Sequence, residues 1–352
     1  MQNVILSEDA GVIANALSPF CGELEGRKIF LTGGTGFFGK WLLESFLRVN
    51  KIFALKAQVT VLSRHPNEFL AQNPWLAAES SVTFLPGDVR DFTFPKSHFD
   101  FVIHAATEAS AKLERENPEE MFAVIVDGTR RVLEFAAAAG VSRLMLTSSG
   151  AVYGDQPTNV SHIGEDYPGC PASAYGKGKL AAEKMCAEAG AENGFVTLLP
   201  RCFAFVGPYL HLDIHFAVGN FIGDCLANRP IMIRGDGTPL RSYLYAADLA
   251  EWLWTILLKG ENGRAYNVGS DQAISILDLA YLVRECAGTN NPIQVLGTPD
   301  PKVPPPRYVP SIERARKELG LDVRCPLKDA ITQTLDWHRA GGAQATCGRE
   351  SR

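Results

Sequence analysis

Three glycines at three-residue spacing constrain this chain more than any other feature. They lie in Thr32-Gly33-Gly34-Thr35-Gly36-Phe37-Phe38-Gly39, between the apolar run KIFLT (28–32) and the segment GKWLLESFLRVN (39–50). In that segment Trp41, Leu42, Phe46 and Leu47 share one helical face. A strand that turns through glycines into a helix gathers bare N–H groups and the positive end of the helix dipole at one point. With no side chains in the way, a pyrophosphate can approach that backbone closely. The spacing therefore predicts a dinucleotide cradle made by Gly33, Gly36 and Gly39, with Thr35, Phe37 and Phe38 beside it. A plain glycine-rich turn, or a related fold that holds no cofactor, is the alternative.

Further strands are expected at QVTVLS (58–63), VTFLPGD (82–88), FDFVIHAA (99–106) and RLMLTSS (143–149). Most are continuously apolar, as in parallel strands covered on both faces. A helix is expected over 118–140, stopped by Gly140. Strand–helix alternation of this kind implies right-handed crossovers and an α/β fold with a doubly wound parallel sheet. Beyond residue 200, prolines and glycines punctuate shorter segments. Helices are expected at 246–260 and 275–288, a strand at 265–269, and an extended proline-rich loop at PDPKVPPPRYVP (299–310). The expected organisation is an N-terminal extension (1–26), a dinucleotide-binding domain (27–200) and a smaller α/β substrate domain (201–340). Some segments of the last return to the first domain, and 341–352 reads as a solvated tail.

Composition narrows the function. The 352 residues are 46% hydrophobic and 21% charged, with a formal net charge of −5. That is ordinary for a globular chain and argues against nucleic acid or an anionic membrane as partner. No run reaches the ~20 apolar residues of a membrane span, and the first twenty residues make a poor signal peptide. Eight scattered cysteines without a C-x-x-C pair suggest a reducing compartment, hence cytoplasm. His211, Asp213 and His215 have a helical H-x-x-x-H spacing, but read as loop or pocket residues; no metal is expected.

The second strand ends in Ser63-Arg64-His65, with no carboxylate until Glu68. A hydroxyl and a guanidinium suit a 2′-phosphate, so NADP(H) is favoured over NAD(H). Arg64 as a solvated or adenine-stacking residue is the other possibility. Asp88, after VTFLPG, is placed to meet the adenine amino group, or else caps a turn.

Tyr175 and Lys179 stand four apart at the start of a helical segment and project from one face. An ammonium near a phenol favours the phenolate and makes tyrosine a usable acid/base. Thr147-Ser148-Ser149 ends a strand upstream, where a hydroxyl can meet the same oxygen.

With those residues in order, the chain resembles the extended short-chain dehydrogenase/reductase superfamily, in its NAD(P)-dependent nucleotide-sugar epimerase/dehydratase branch. The resemblance spans about 27–340. It is carried by TGGTGFFG (32–39), GDV (87–89), HAA (104–106), TSSGAVYGD (147–155), YGKGK (175–179), RCFAFVGP (201–208), GDGTPLRSYLYAADLA (235–250) and YNVGS (266–270). It implies a Rossmann-type domain and a catalytic trio of Ser149, Tyr175 and Lys179 acting on a nucleotide-diphosphate sugar, most often at C4. It implies that Val89, Ala105, Ala106, Thr107, Thr147 and Arg201 also line the cofactor. Glu108, Ser149, Gly150, Ala204, Asn220 and Arg241 are implied on the substrate side, Arg241 as the diphosphate clamp. A homodimer through helices near 110–138 and 173–190 is implied as well.

The chain departs from the family's pattern in informative places. Dehydratases carry an Asp-Glu pair after the trio's hydroxyl, and decarboxylating relatives keep a glutamate there. This chain has Gly150 and Ala151. The family's usual asparagines are replaced by Ile125 and Ala204. The expectation is a 4-epimerase or 4-keto-reductase. A 4,6-dehydratase that uses Glu108, or a non-catalytic dinucleotide sensor, is the alternative.

Overall fold

The computed structural model describes residues 2–107, 111–213 and 216–341. In chain order its first half holds α1 (Gln2–Leu17), β1 (Lys28–Thr32), α2 (Phe37–Ile52), β2 (Gln58–Ser63), α3 (Pro66–Gln72), α4 (Pro74–Ala77), β3 (Val82–Pro86), β4 (Phe101–His104), α5 (Ala111–Glu116), α6 (Pro118–Ala139), β5 (Arg143–Leu146), β6 (Ser148–Ser149) and α7 (Ala174–Asn193). The second half holds β7 (Val196–Cys202), β8 (Phe205–Val206), α8 (Ala217–Leu226), β9 (Ile231–Ile233), β10 (Leu240–Arg241), β11 (Leu244–Tyr245), α9 (Ala246–Lys259), β12 (Arg264–Val268), β13 (Ile274–Ser275), α10 (Ile276–Ala287), β14 (Ile293–Val295), β15 (Arg307–Tyr308), α11 (Glu313–Leu319) and α12 (Leu327–Arg339).

The main sheet runs β3-β2-β1-β4-β5-β7-β12, with β6 beside β7, and its pairings are parallel. The chain winds outward from β1 to one edge, then restarts at β4 and winds the other way. The strand order therefore reverses between β1 and β4, and in such sheets ligands bind in a crevice at the carboxyl ends of the strands at this switch point. Both sheet faces are covered. Ile29 and Leu31 face one apolar cluster, with Trp41 of α2 and Trp254 of α9, while Phe30 faces a second with Phe92, Phe99 and Phe135. This two-sided burial is why the strands read as continuous apolar runs rather than as alternating ones.

Two local devices set the crevice. Thr32 and His104 are register partners at the ends of β1 and β4, and Thr32 Oγ1 lies 2.8 Å from His104 Nδ1. Thr32 Oγ1 also accepts the Ala106 N–H at 3.1 Å, which ties the loop after β4 to the glycine loop. Burial pushes His104 down to about 3, so this link is neutral at ordinary pH. On the other face, Gly178 lets Ile125 of α6 pack directly against α7; a Cβ there would stand 3.2 Å from Ile125.

Two outcomes differ from the sequence expectation. The N-terminal stretch is a core element: Ala14 and Leu17 of α1 are fully buried, and Asp9 Oδ2 accepts the Tyr245 hydroxyl at 2.6 Å. The loop 299–310 contains β15, which pairs in parallel with β10 and sets Tyr308 opposite Arg241. A two-residue strand among prolines has no periodicity to detect.

The docking of α1 carries a pH signature. Burial pushes Asp9 up to about 6, Asp248 up to about 6 and Glu251 up to about 7. A raised folded-state value means that the native state binds the proton more tightly, so this contribution is full below pH 4 and is lost as pH rises through 6–7. The expected result is that Asp9→Asn gains stability relative to the parent between pH 5 and pH 8. Parallel melting curves across that range would disprove the coupling.

Candidate active site

The glycine loop has the shape a pyrophosphate needs. Gly33 has φ +73°, and a Cβ on it would lie 2.5 Å from the Ala105 carbonyl carbon. At Gly39 a Cβ would fall 2.3 Å from Gly34 Cα, so that glycine lets α2 pack onto the loop. Gly36 is different: a Cβ there would meet only the Gly33 carbonyl oxygen, at 3.5 Å. Its open side faces solvent at the start of α2, where no side chain caps the helix. The free N–H groups of that first turn fit an anion. Phe38 is held edge-on against Phe205 at 5.1 Å, which fixes the far wall of the turn. Thr35 and Phe37 are half-buried in the same turn.

The trio converges at the carboxyl edge of the sheet. Ser149 ends β6, in register with Cys202 of β7. Its Oγ accepts the Ala151 N–H at 3.1 Å and hydrogen-bonds with the Tyr175 phenol. Lys179 is 2% exposed, and its Nζ donates to the Thr147 carbonyl at 3.0 Å. The same Nζ lies 5.9 Å from the centre of the Tyr175 ring.

Burial dominates the electrostatics of this pair. Burial pushes the Tyr175 phenol up to about 12, although the Ser149 hydrogen bond pulls it down. Burial pushes Lys179 down to about 8. Desolvation disfavours both charged forms, and the lysine donates its proton to the Thr147 carbonyl rather than to the phenol. Through that carbonyl Lys179 also ties the residue after β5 to α7.

Glu114 of α5 does act at this helix. Its two carboxylate oxygens accept the N–H groups of Ala174 and Tyr175, at 2.8 and 2.9 Å. A carboxylate there satisfies N–H groups at the start of α7 and complements its dipole. Nothing in the sequence marked Glu114, because its partners lie some sixty residues away.

Tyr308 is the other residue that sequence reasoning missed. Its phenol hydrogen-bonds with Ser149 and lies close to Tyr175 and Arg241, and burial pushes it well above the ordinary tyrosine range. Its ring packs on Phe203 with centroids 4.7 Å apart. Together these fill the space beside Gly150: a Cβ on Gly150 would stand 2.7 Å from both the Tyr308 hydroxyl and Phe203 Cζ. The buried thiol of Cys202 sits behind, pushed up to about 12 by burial.

The other expected residues separate into groups. Arg64 is exposed, makes no ion pair among the described residues, and lines a cavity of about 560 Å³ with His65 and Phe84. Ser63 Oγ accepts the His65 N–H at 3.3 Å. Asp88 gives both carboxylate oxygens to Arg90, at 2.8 and 3.1 Å, so its side chain is already occupied. Val89 packs against Gly128 of α6. Ala105, Ala106 and Thr107 follow β4 beside Gly33, and Thr147 Oγ1 donates to the His104 carbonyl. Ala204 is buried just after β7, Asn220 lies on α8, and Arg241 makes no ion pair among the described residues, donating only to the Leu240 carbonyl at 2.9 Å. Glu108 and His215 lie outside the described residues.

The Arg201 side chain is engaged within the protein. Its guanidinium pairs with Glu183 at 2.8 Å and donates to the Tyr153 hydroxyl and the Glu165 carbonyl. Glu183 also accepts the Ser148 hydroxyl. The arginine expected at the dinucleotide is thus the centre of a polar network beneath β6, one residue from Ser149.

Comparisons with known proteins place the chain in a family. The sequence profile of the NAD dependent epimerase/dehydratase family matches residues 29–269. A UDP-glucuronic acid decarboxylase 1 of Xenopus tropicalis is 28% identical over 327 residues, 91% of this chain and 74% of that protein. A dTDP-D-glucose 4,6-dehydratase of Mus musculus is 26% identical over 329 residues, 89% of each. Among solved structures, the Thermus thermophilus UDP-glucose 4-epimerase in complex with NAD is 26% identical, covers 89% of this chain and 99% of that one, and superposes with a TM-score of 0.75.

Proposed function

Since this chain belongs to the NAD dependent epimerase/dehydratase family, we propose that it moves a hydride at a ring carbon, C4, of a nucleotide-diphosphate hexose, as a 4-epimerase or a 4-keto-reductase. The bound dinucleotide supplies the hydride acceptor or donor. Tyr175 exchanges a proton with the sugar oxygen at that carbon, and Ser149 hydrogen-bonds the same oxygen. Arg241, free of any ion pair among the described residues, takes the diphosphate. Arg64, exposed and likewise without an ion pair, supports NADP(H) over NAD(H).

One observation carries the choice of reaction. Neither Gly150 nor Ala151 can move a proton, and Tyr308 and Phe203 occupy the space an acid at position 150 would need. Removing a C5 proton and expelling a C6 hydroxyl requires such acids. Relatives named as decarboxylases and as a dehydratase favour a second reading, in which those reactions proceed with an acid from elsewhere.

The experiment is to incubate the purified protein with UDP-glucose, UDP-glucuronic acid and dTDP-glucose. Products are followed by NMR and cofactor by its absorbance. An epimerase converts substrate with no net cofactor change, while a reductase given the 4-keto sugar consumes NADPH one for one. Release of CO2, or loss of the C6 hydroxyl, would establish the second reading instead.

A homodimer through α6 and α7 is part of the proposal. The two helices pack against one another, and Phe122 on α6 stands 39% exposed. Light scattering is expected to give twice the chain mass, and Phe122→Glu to halve it; a monomeric parent ends this part of the proposal.

A further inference from the structure

Away from the crevice, a cavity of about 1150 Å³ runs along the outer face of α2. Its walls come from α1, α2, the loop feeding β2, the segment 71–81, the turn at Tyr209 and the end of α12. Ser149, Tyr175, Lys179, Arg241 and the glycine loop 33–39 do not line it.

The lining is positive in a chain whose net charge is −5. Lys40, Arg48, Lys51 and Lys56 face two carboxylates, Glu44 and Glu79. None of the four cations forms an ion pair among the described residues; Lys40 instead lies 5.0 Å over the Tyr209 ring. Glu44 accepts the Tyr209 hydroxyl at 2.8 Å, and burial pushes it up to about 7, which reduces its negative charge near neutrality. Concave positive surfaces of this kind concentrate anions. One wall is aromatic: Trp75, Tyr209 and Trp337 line the cavity, the last two edge-on at 5.0 Å.

The backbone is unusual at the same place. Ala54, Lys56 and Tyr209 have φ of 51°, 56° and 71°, three of the four non-glycine residues with left-handed backbone among those described. Such conformations persist only where the surroundings hold them, and they gather at ligand clamps.

We propose that this cavity is a second binding site, for a phosphate-bearing small molecule with a planar ring. Lys40, Arg48, Lys51 and Lys56 take the phosphate, and the ring lies against Trp75 and Tyr209. Charge alone would suit any anion; the aromatic wall selects for a ring attached to it. The site is independent of the reaction proposed for the crevice.

The test is equilibrium dialysis of the full-length protein, with one equivalent of dinucleotide present to fill the crevice and none in excess to compete at the second site. The probes are AMP, adenosine and inorganic pyrophosphate. Saturable uptake of AMP is expected, tighter than that of either other probe. Lys40→Ala should weaken it by about tenfold or more, the scale of a lost charge-assisted contact. Because Lys40 is half-buried, the exposed pair Arg48→Glu/Lys51→Glu is a second variant that should do the same without disturbing the core. Arg241→Ala should leave it unchanged. Equal binding in all variants, loss in Arg241→Ala alone, or no saturable uptake would each overturn the proposal. So would uptake that vanishes for every variant at about 0.15 M salt, which marks diffuse surface charge.

Discussion

Replacing Tyr175 by phenylalanine is expected to lower turnover by about 10²- to 10⁴-fold, the usual contribution of a positioned acid/base. Dinucleotide affinity should change little, because the ring stays and only the hydroxyl leaves. The geometry explains the size of the effect. Ser149 interacts with this phenol and Glu114 accepts its backbone N–H, so the residue is anchored at the start of α7 beside Ser149. No other described group stands ready in its position. The nearby Tyr308 also interacts with Ser149, but it stands on β15 and not one helical turn from Lys179. Steady-state kinetics together with a dinucleotide fluorescence titration check this. Turnover within tenfold of the parent would remove Tyr175 from the reaction, and loss of dinucleotide binding would mean that the substitution disturbed the fold.

The second large effect is on stability. Glu183→Gln is expected to cost about 3–5 kcal/mol, because it leaves the Arg201 guanidinium buried and uncompensated. The side chains are 13% and 6% exposed, so water does little to screen the pair. The carboxylate also accepts from Ser148, next to Ser149, so turnover should fall along with stability. Ser148→Ala, which removes one hydroxyl donor to the carboxylate, should cost less, about 1.5–3 kcal/mol. Urea unfolding of the three proteins measures this; a Glu183→Gln cost below that of Ser148→Ala would show that the network does not carry the strand.

Much of this was legible in the sequence for a physical reason. Parallel strands covered on both sides need unbroken apolar runs, so β1 and β2 appear in the sequence with their observed limits. The glycine spacing at 33, 36 and 39 lies within one short segment and is legible there, although the contact that excludes a side chain at Gly33 comes from Ala105. A tyrosine and a lysine one helical turn apart share a face whatever the rest of the chain does. What depends on distant partners was not legible. Arg201 has cofactor-like surroundings in sequence, yet Glu183, eighteen residues earlier, claims its charge.

The sequence by itself determined the sheet, its crevice and the trio at its edge, because periodicity, turn chemistry and one-turn spacing are local properties. Only the tertiary structure decided the charge states and the shape of the site. Burial, a sum over the whole fold, pushes Tyr175 up and Lys179 down. Pairing of β15 with β10 brings Tyr308 into the space beside Gly150, across more than a hundred and fifty residues of chain.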